Sequence, residues 1–153
     1  MDYKKILSEF GLENEFDLLW SETRQLQAVK QNGDSIRYIS NPSEKVQLEA
    51  VKQDGDSILH IQNPSEKVQL EAVKENGYSI RYIQNPSEKE QLEAVKQYGD
   101  SIQYIQNPSE KVQLEIISYL LKTENPTQYI HKFTSDKALR LFLQQLVVKD
   151  III

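Results

Sequence analysis

The sequence predicts an all-α fold: a short α-solenoid of 22-residue helix-turn-helix repeats with N- and C-terminal helical caps. Three observations carry that expectation. Gln25-Leu26-Gln27-Ala28-Val29-Lys30 returns from Gln47 to Lys52, from Gln69 to Lys74 and from Gln91 to Lys96. Self-similarity at a fixed period of roughly 20 to 50 residues marks an array whose units bury their apolar sides against one another. Each copy is followed by a glycine, two isoleucines and Asn-Pro-Ser-Glu-Lys, which are stop and start signals for helices. Apolar residues recur at helical spacing, and no useful stretch alternates with period two.

Residues 1–24 read as the N-terminal cap. Tyr3, Ile6, Leu7 and Phe10 recur at helical spacing, Gly11 ends that helix, and Phe16, Leu18, Leu19 and Trp20 form an apolar cluster in which Trp20 plugs the open end of the array. Ser21-Glu22 matches the Ser-Glu of later units, which places the start of the first repeat helix near Leu19.

Four repeats follow over residues 25–112. In the unit 41–62, Pro42 fits the first helical position and Asn41, held extended by the proline, the N-cap. Glu44 then takes the third position, where its carboxylate reaches back to the cap and faces the positive end of the helix dipole. Gly55 is read as the left-handed residue that closes the helix, with Lys52 in the last turn, so the helix is expected over 42–53. Asp56 or Ser57 then caps a shorter helix carrying Ile58 and Ile61. Val46, Leu48, Ala50 and Val51 spread over a wide arc, as an interior member of a stack requires. Gln25, Gln47, Gln69, Gln91 and Gln113 fall near the middle of that arc and are expected to bond backbone groups of an adjoining turn or the next glutamine, because an unbonded buried amide costs about 1–3 kcal/mol.

Residues 113–153 read as the C-terminal cap. Ile116, Ile117, Tyr119, Leu120 and Leu121 make a fifth helix more apolar than the others, Asn125-Pro126-Thr127 opens a short helix, and Ser135-Asp136 caps a last one with Leu139, Phe142, Leu143 and Leu146 in one stripe. The segment Val147 to Ile153 is too apolar for water; it either folds onto the last repeat or pairs with a second copy of the chain as a homodimer.

Composition narrows the function. The 153 residues have the length of one domain. A formal charge of -5 without blocks of like sign makes nucleic acid an unlikely partner. The absence of cysteine fits a reducing compartment, no run approaches the ~18 apolar residues of a membrane span, and no signal peptide opens the chain, so a cytoplasmic protein is expected. Neither His60 nor His131 has a helically spaced partner suited to a metal, and there is no glycine-rich phosphate loop or nucleophile elbow; we expect no enzyme, cofactor or metal.

Positions that differ between repeats are free to meet a partner. They cluster in the turn and the short helix, beside the column Tyr38, His60, Tyr82 and Tyr104. Tyrosine and arginine are the common anchors of interfaces, which makes Arg37, Tyr38, His60, Tyr78, Arg81, Tyr82, Tyr98 and Tyr104 the candidate partner-binding residues. The same rings also read as packing between short helices with their hydroxyls at the surface. Glu44, Glu66, Glu88 and Glu110, alternating with lysines, read as scaffold surface.

The phrase Ala-Val-Lys-x-x-Gly-x-x-Ile-x-Tyr-Ile, as in Ala28 to Ile39 and Ala72 to Ile83, resembles helical repeats of a domain family of unknown function found in bacteria, protists and large viruses. The resemblance spans about residues 25–115 and implies a right-handed helical solenoid with no catalytic residues to carry over. The unit here is shorter, with Asn-Pro between copies. The expected function is a non-catalytic scaffold that binds a protein partner and sequesters or inhibits it, in the manner of a phage or mobile-element inhibitor of a bacterial defence or host enzyme. The alternative is a repeat protein that binds nucleic acid or imitates DNA.

Overall fold

The computed structural model describes residues 21–148, so the expected N-terminal cap up to Trp20 and the residues after Val148 lie outside the described part. Seven α-helices are described: α1 (Glu22–Gln31), α2 (Glu44–Gln53), α3 (Glu66–Glu75), α4 (Glu88–Gln97), α5 (Glu110–Glu115), α6 (Ile117–Leu120) and α7 (Asp136–Val148). Each of α1 to α4 is followed by a 3₁₀ helix, at Gly33–Tyr38, Gly55–His60, Gly77–Tyr82 and Gly99–Tyr104. Consecutive α-helices from α1 to α5 pack side by side, and the 3₁₀ helices form a second row against them. The result is the expected all-α solenoid; there is no strand among the described residues.

The helices begin two residues later than the Asn-Pro reading places them. Ser43, not Asn41, is the N-cap of α2, its Oγ accepting from Val46 N at 3.4 Å, and Ser65 and Ser109 repeat the arrangement. Glu44 therefore sits at the first helical position rather than the third, and Pro42 lies in the connection. Asn41 is not extended: it has φ 52 and Asn63 has φ 50, a region that asparagine enters more readily than most residues. The first repeat follows suit, with α1 starting at Glu22 behind Ser21.

The glycines have a different role from the one expected. The helix does not close on a left-handed glycine but on the extended residue before it, Asp54 (φ -152, ψ 110), whose carboxylate accepts from Asp56 N and so caps the 3₁₀ helix in place of Asp56 or Ser57. Gly55 is required by proximity: a Cβ there would stand 2.5 Å from the carbonyl oxygen of Ala72 in the next helix. A six-residue 3₁₀ turn, tighter than an α-turn, then points Ile58 into the core.

Val46, Ala50 and Val51 of α2 are fully buried, as are Val68, Ala72 and Val73 of α3, and Ile36, Ile58, Ile80 and Ile102 supply one core residue per repeat from the second row. Full burial of each such valine or isoleucine contributes about 1.5–3 kcal/mol. Leu48 is only half-buried, at the edge of that core. The glutamine column behaves as its chemistry requires. Gln47, Gln69, Gln91 and Gln113 each donate from Nε2 to the carbonyl of the proline five residues earlier, at 2.8–2.9 Å.

At the C-terminal end Ile116, Ile117, Leu120 and Leu121 are buried. Residues 126–129 form turns, leading into a 3₁₀ helix at Ile130–Lys132. Ser135 caps α7, and Phe133 stacks on Phe142 at 4.9 Å. The buried stripe of α7 is Ala138, Phe142 and Leu146; Leu143 is exposed because the stripe is rotated toward Ala138. Val147 and Val148 end the helix in solvent, 58% and 78% exposed, and do not fold onto the last repeat.

Candidate binding groove

The connections between repeats and the ends of the 3₁₀ helices enclose three adjoining hollows. The first, of about 640 Å³, is lined by Arg37, Ile39, Asn41, Pro42, His60 and Asn63 among others. The second, about 450 Å³, shares Asn63 with it and adds Ile61, Tyr82, Gln84 and Asn85. The third, about 440 Å³, shares Tyr82 to Asn85 with the second and reaches Arg81, Tyr104, Gln106 and Asn107. Shared walls make them one open groove, stepping along the array once per repeat. Its floor includes Ile61, Ile83 and Ile105, and its sides are amides, prolines and rings.

Five of the eight candidate residues line this groove: Arg37, His60, Arg81, Tyr82 and Tyr104. Among the described residues no carboxylate does. Arg37, His60 and Arg81 are nevertheless each tethered by an aspartate. Arg37 pairs with Asp34 at 3.5 Å and lies over the Tyr38 ring, 5.3 Å from its centroid. His60 Nε2 lies 2.9 Å from Asp34 Oδ1. Arg81 donates to Asp56 Oδ2 and lies over the Tyr82 ring at 4.6 Å, while Asp56 Oδ1 accepts from Ser79 Oγ at 2.7 Å and Asn76 Nδ2 at 3.0 Å. Each guanidinium is thus held in place before any partner arrives.

Tyr38 lies outside the groove lining, 72% exposed. Tyr78 and Tyr98 form a separate stack at 4.4 Å, with Tyr78 donating to Asp100 Oδ1 at 2.8 Å. Tyr104 joins the two groups, its ring standing edge-on to Tyr78 at 6.3 Å. The bond to Asp100, followed by burial, pushes the Tyr78 hydroxyl up to about 12.

The groove amides Gln62, Asn63, Gln84, Asn85, Gln106 and Asn107 are absent from the sequence-based candidates, although the invariance of Gln-Asn-Pro in the last three connections was their visible signal. Lys132 also reaches this edge of the array: its Nζ donates to the carbonyl of Ile105 at 2.7 Å, and burial lowers its pKa. Among the described residues no cluster of three or more His, Cys, Asp or Glu side chains is placed to hold a metal ion, and no helix is long and apolar enough to cross a membrane. No family model, curated protein or solved structure matches the chain.

Proposed function

We propose that the protein is a non-catalytic repeat scaffold that holds a segment of a protein partner along the groove and, by occupying that segment, sequesters or inhibits the partner. The observation that carries this reading is the continuous groove walled by tyrosines and by arginines already fixed over rings. Rigid amphipathic anchors lose little freedom on binding, which is how affinity is gained from a modest surface. A nucleic-acid partner fits less well, because Arg37 and Arg81 are each satisfied by an aspartate and do not stand free for phosphate.

The test is site-specific photocross-linking in bacterial lysate. A photoreactive residue replacing Gln84 or Tyr104 is expected to capture a protein, and one replacing Lys52, exposed at the far, C-terminal end of α2, is not. Capture from Lys52 alone, or from none of the three, rejects the groove as the contact.

A further inference from the structure

We propose that the groove takes a proline-rich segment in the polyproline II conformation. This names the chemistry of the bound segment and rests on the scaffold reading above.

Three features on the same wall point there. The first is hydrogen-bonding sense. The walls offer donors from Gln84, Asn85, Gln106 and Asn107 and, among the described residues, no carboxylate. Prolines carry no N–H, so a proline-rich chain presents mostly carbonyl acceptors that need such donors. An acidic segment is less suited, since the guanidinium of Arg81 already holds Asp56 and that of Arg37 holds Asp34.

The second is period. Helices packed side by side advance by about 8–10 Å, and a polyproline II helix advances about 9 Å in each three-residue turn. One residue in three therefore meets the same element of each successive repeat. Tyr82 and Tyr104, one repeat apart, form the same wall and would receive prolines three residues apart.

The third is surface type. Tyr82 is half-buried and Tyr104 is 40% exposed, so both rings are seated in the scaffold with one side open. Aromatic-lined grooves suit polyproline II because its backbone is ordered before binding.

The test uses the full chain and fluorescent peptides of about twelve residues, four turns of that helix. One carries proline at every third position, one has the same composition with prolines out of that period, and one is glutamate-rich without proline. Saturable binding of the first is expected, tightest of the three. It should weaken about tenfold or more in Tyr82→Ala/Tyr104→Ala, and also in Gln84→Ala/Gln106→Ala, whose exposed glutamines leave the core untouched. No saturable binding of the in-period peptide, equal binding of the out-of-period peptide, preference for the glutamate-rich peptide, or indifference to both double variants overturns the assignment. If cross-linking from Gln84 captures a protein that the in-period peptide does not displace, the scaffold reading stands and the proline assignment falls; if nothing is captured and no peptide binds, both fall.

Discussion

Tyr78 donates its phenolic hydrogen bond to Asp100 across one repeat boundary, from a position that carries aspartate in the other three repeats. The bond ties the turn of one repeat to the next and fixes a ring on which Tyr98 stacks. Its acceptor is charged, so ionising Tyr78 would place two anions together, and the hydroxyl rises to about 12. A raised folded value stabilises the neutral form: the contribution is complete below the ordinary tyrosine value of about 10 and fades as pH climbs toward the folded one. Phenolate absorbance is expected to show a late-titrating tyrosine, and Asp100→Asn should bring it back toward the ordinary range. Tyr119 and Tyr129, raised first by burial and then by Asp100, should retain most of their shift. A titration unchanged by Asp100→Asn would show that the bond does not govern Tyr78.

The buried serines of the second row differ from repeat to repeat. Ser79 and Ser101 hold equivalent positions in successive repeats and both are fully buried, but Ser79 donates to Asp56 at 2.7 Å while Ser101 Oγ has no partner. The acceptor position facing Ser101 carries Tyr78, and Ser57 Oγ is without a partner as well, although its equivalent acceptor, Asp34, is present and pairs instead with His60 and Arg37. Removing a bond to a charged acceptor costs about 1.5–3 kcal/mol, whereas removing an unbonded buried hydroxyl costs little or stabilises. Chemical denaturation should therefore show Ser79→Ala destabilised and Ser101→Ala unchanged or firmer. Equal losses would mean that Ser101 is bonded in solution.

How much of this was legible depends on the range of the interaction. The repeat period, the bonding of the glutamines to backbone of an adjoining turn rather than to one another, and a cap at Ser135-Asp136, where Ser135 takes the role, rest on residues close in sequence and are legible there. The shift of each helix start arises because Asn-Pro-Ser offers two competent N-caps, and a sequence does not weigh them. The second helix, six residues long, is too short for periodicity to separate 3₁₀ from α. The groove was out of reach for a different reason: its walls join Arg81 and Asn85 to Tyr104 and Asn107, side chains brought together only by stacking. The variable positions and the column of rings beside them found five lining residues, but they also selected Tyr38, Tyr78 and Tyr98, which lie outside the lining.

Glycine at the repeat boundary makes a graded prediction. A Cβ at Gly55 would meet the Ala72 carbonyl oxygen at 2.5 Å and Ser79 Oγ at 2.9 Å, whereas at Gly77 the nearest atoms, the Ala94 carbonyl oxygen and Tyr98 Cδ2, are 3.1 Å away. The first clash is with the backbone of a packed helix and is relieved only by parting two repeats. Overpacking of this kind costs about 1–3 kcal/mol. Gly55→Ala should lower the urea midpoint clearly more than Gly77→Ala; the reverse order would show that the boundary yields more easily than this spacing implies.

Gln113 closes the array against its C-terminal cap. Its Nε2 donates to the Pro108 carbonyl at 2.8 Å and to Thr134 Oγ1 at 2.9 Å, and its Oε1 accepts from the backbone N–H groups of Thr134 and Ser135, both at 2.9 Å. Thr134 stands where the earlier connections have proline and so supplies a donor they lack. Gln113→Leu strands two N–H groups and a carbonyl, at about 1–3 kcal/mol for each that stays dry. The expected result is a loss of at least about 2 kcal/mol with faster hydrogen exchange at Thr134 and Ser135. Retained protection at both amides would place the closure elsewhere.

Glu110 joins the same two elements through an exposed carboxylate. Ser135 Oγ donates to its Oε2 at 2.7 Å and Lys137 Nζ to its Oε1 at 3.1 Å, and these bonds, the serine's first, hold its pKa below the ordinary glutamate value. Ser43 and Ser65 donate in the same way to Glu22 and Glu44, so at three of the five boundaries a glutamate links successive helix caps. A depressed folded value contributes stability that is complete above the unfolded value of about 4.3 and is lost as pH falls through the folded one. Glu110→Gln should therefore unfold at lower urea than the parent chain at neutral pH, with the gap closing in acid. Added salt should trim the lysine's share and leave the serine's, since screening acts on the ion pair. A gap independent of pH would show that the side chain acts through packing rather than charge, and the carboxylate would then have no part in seating the cap.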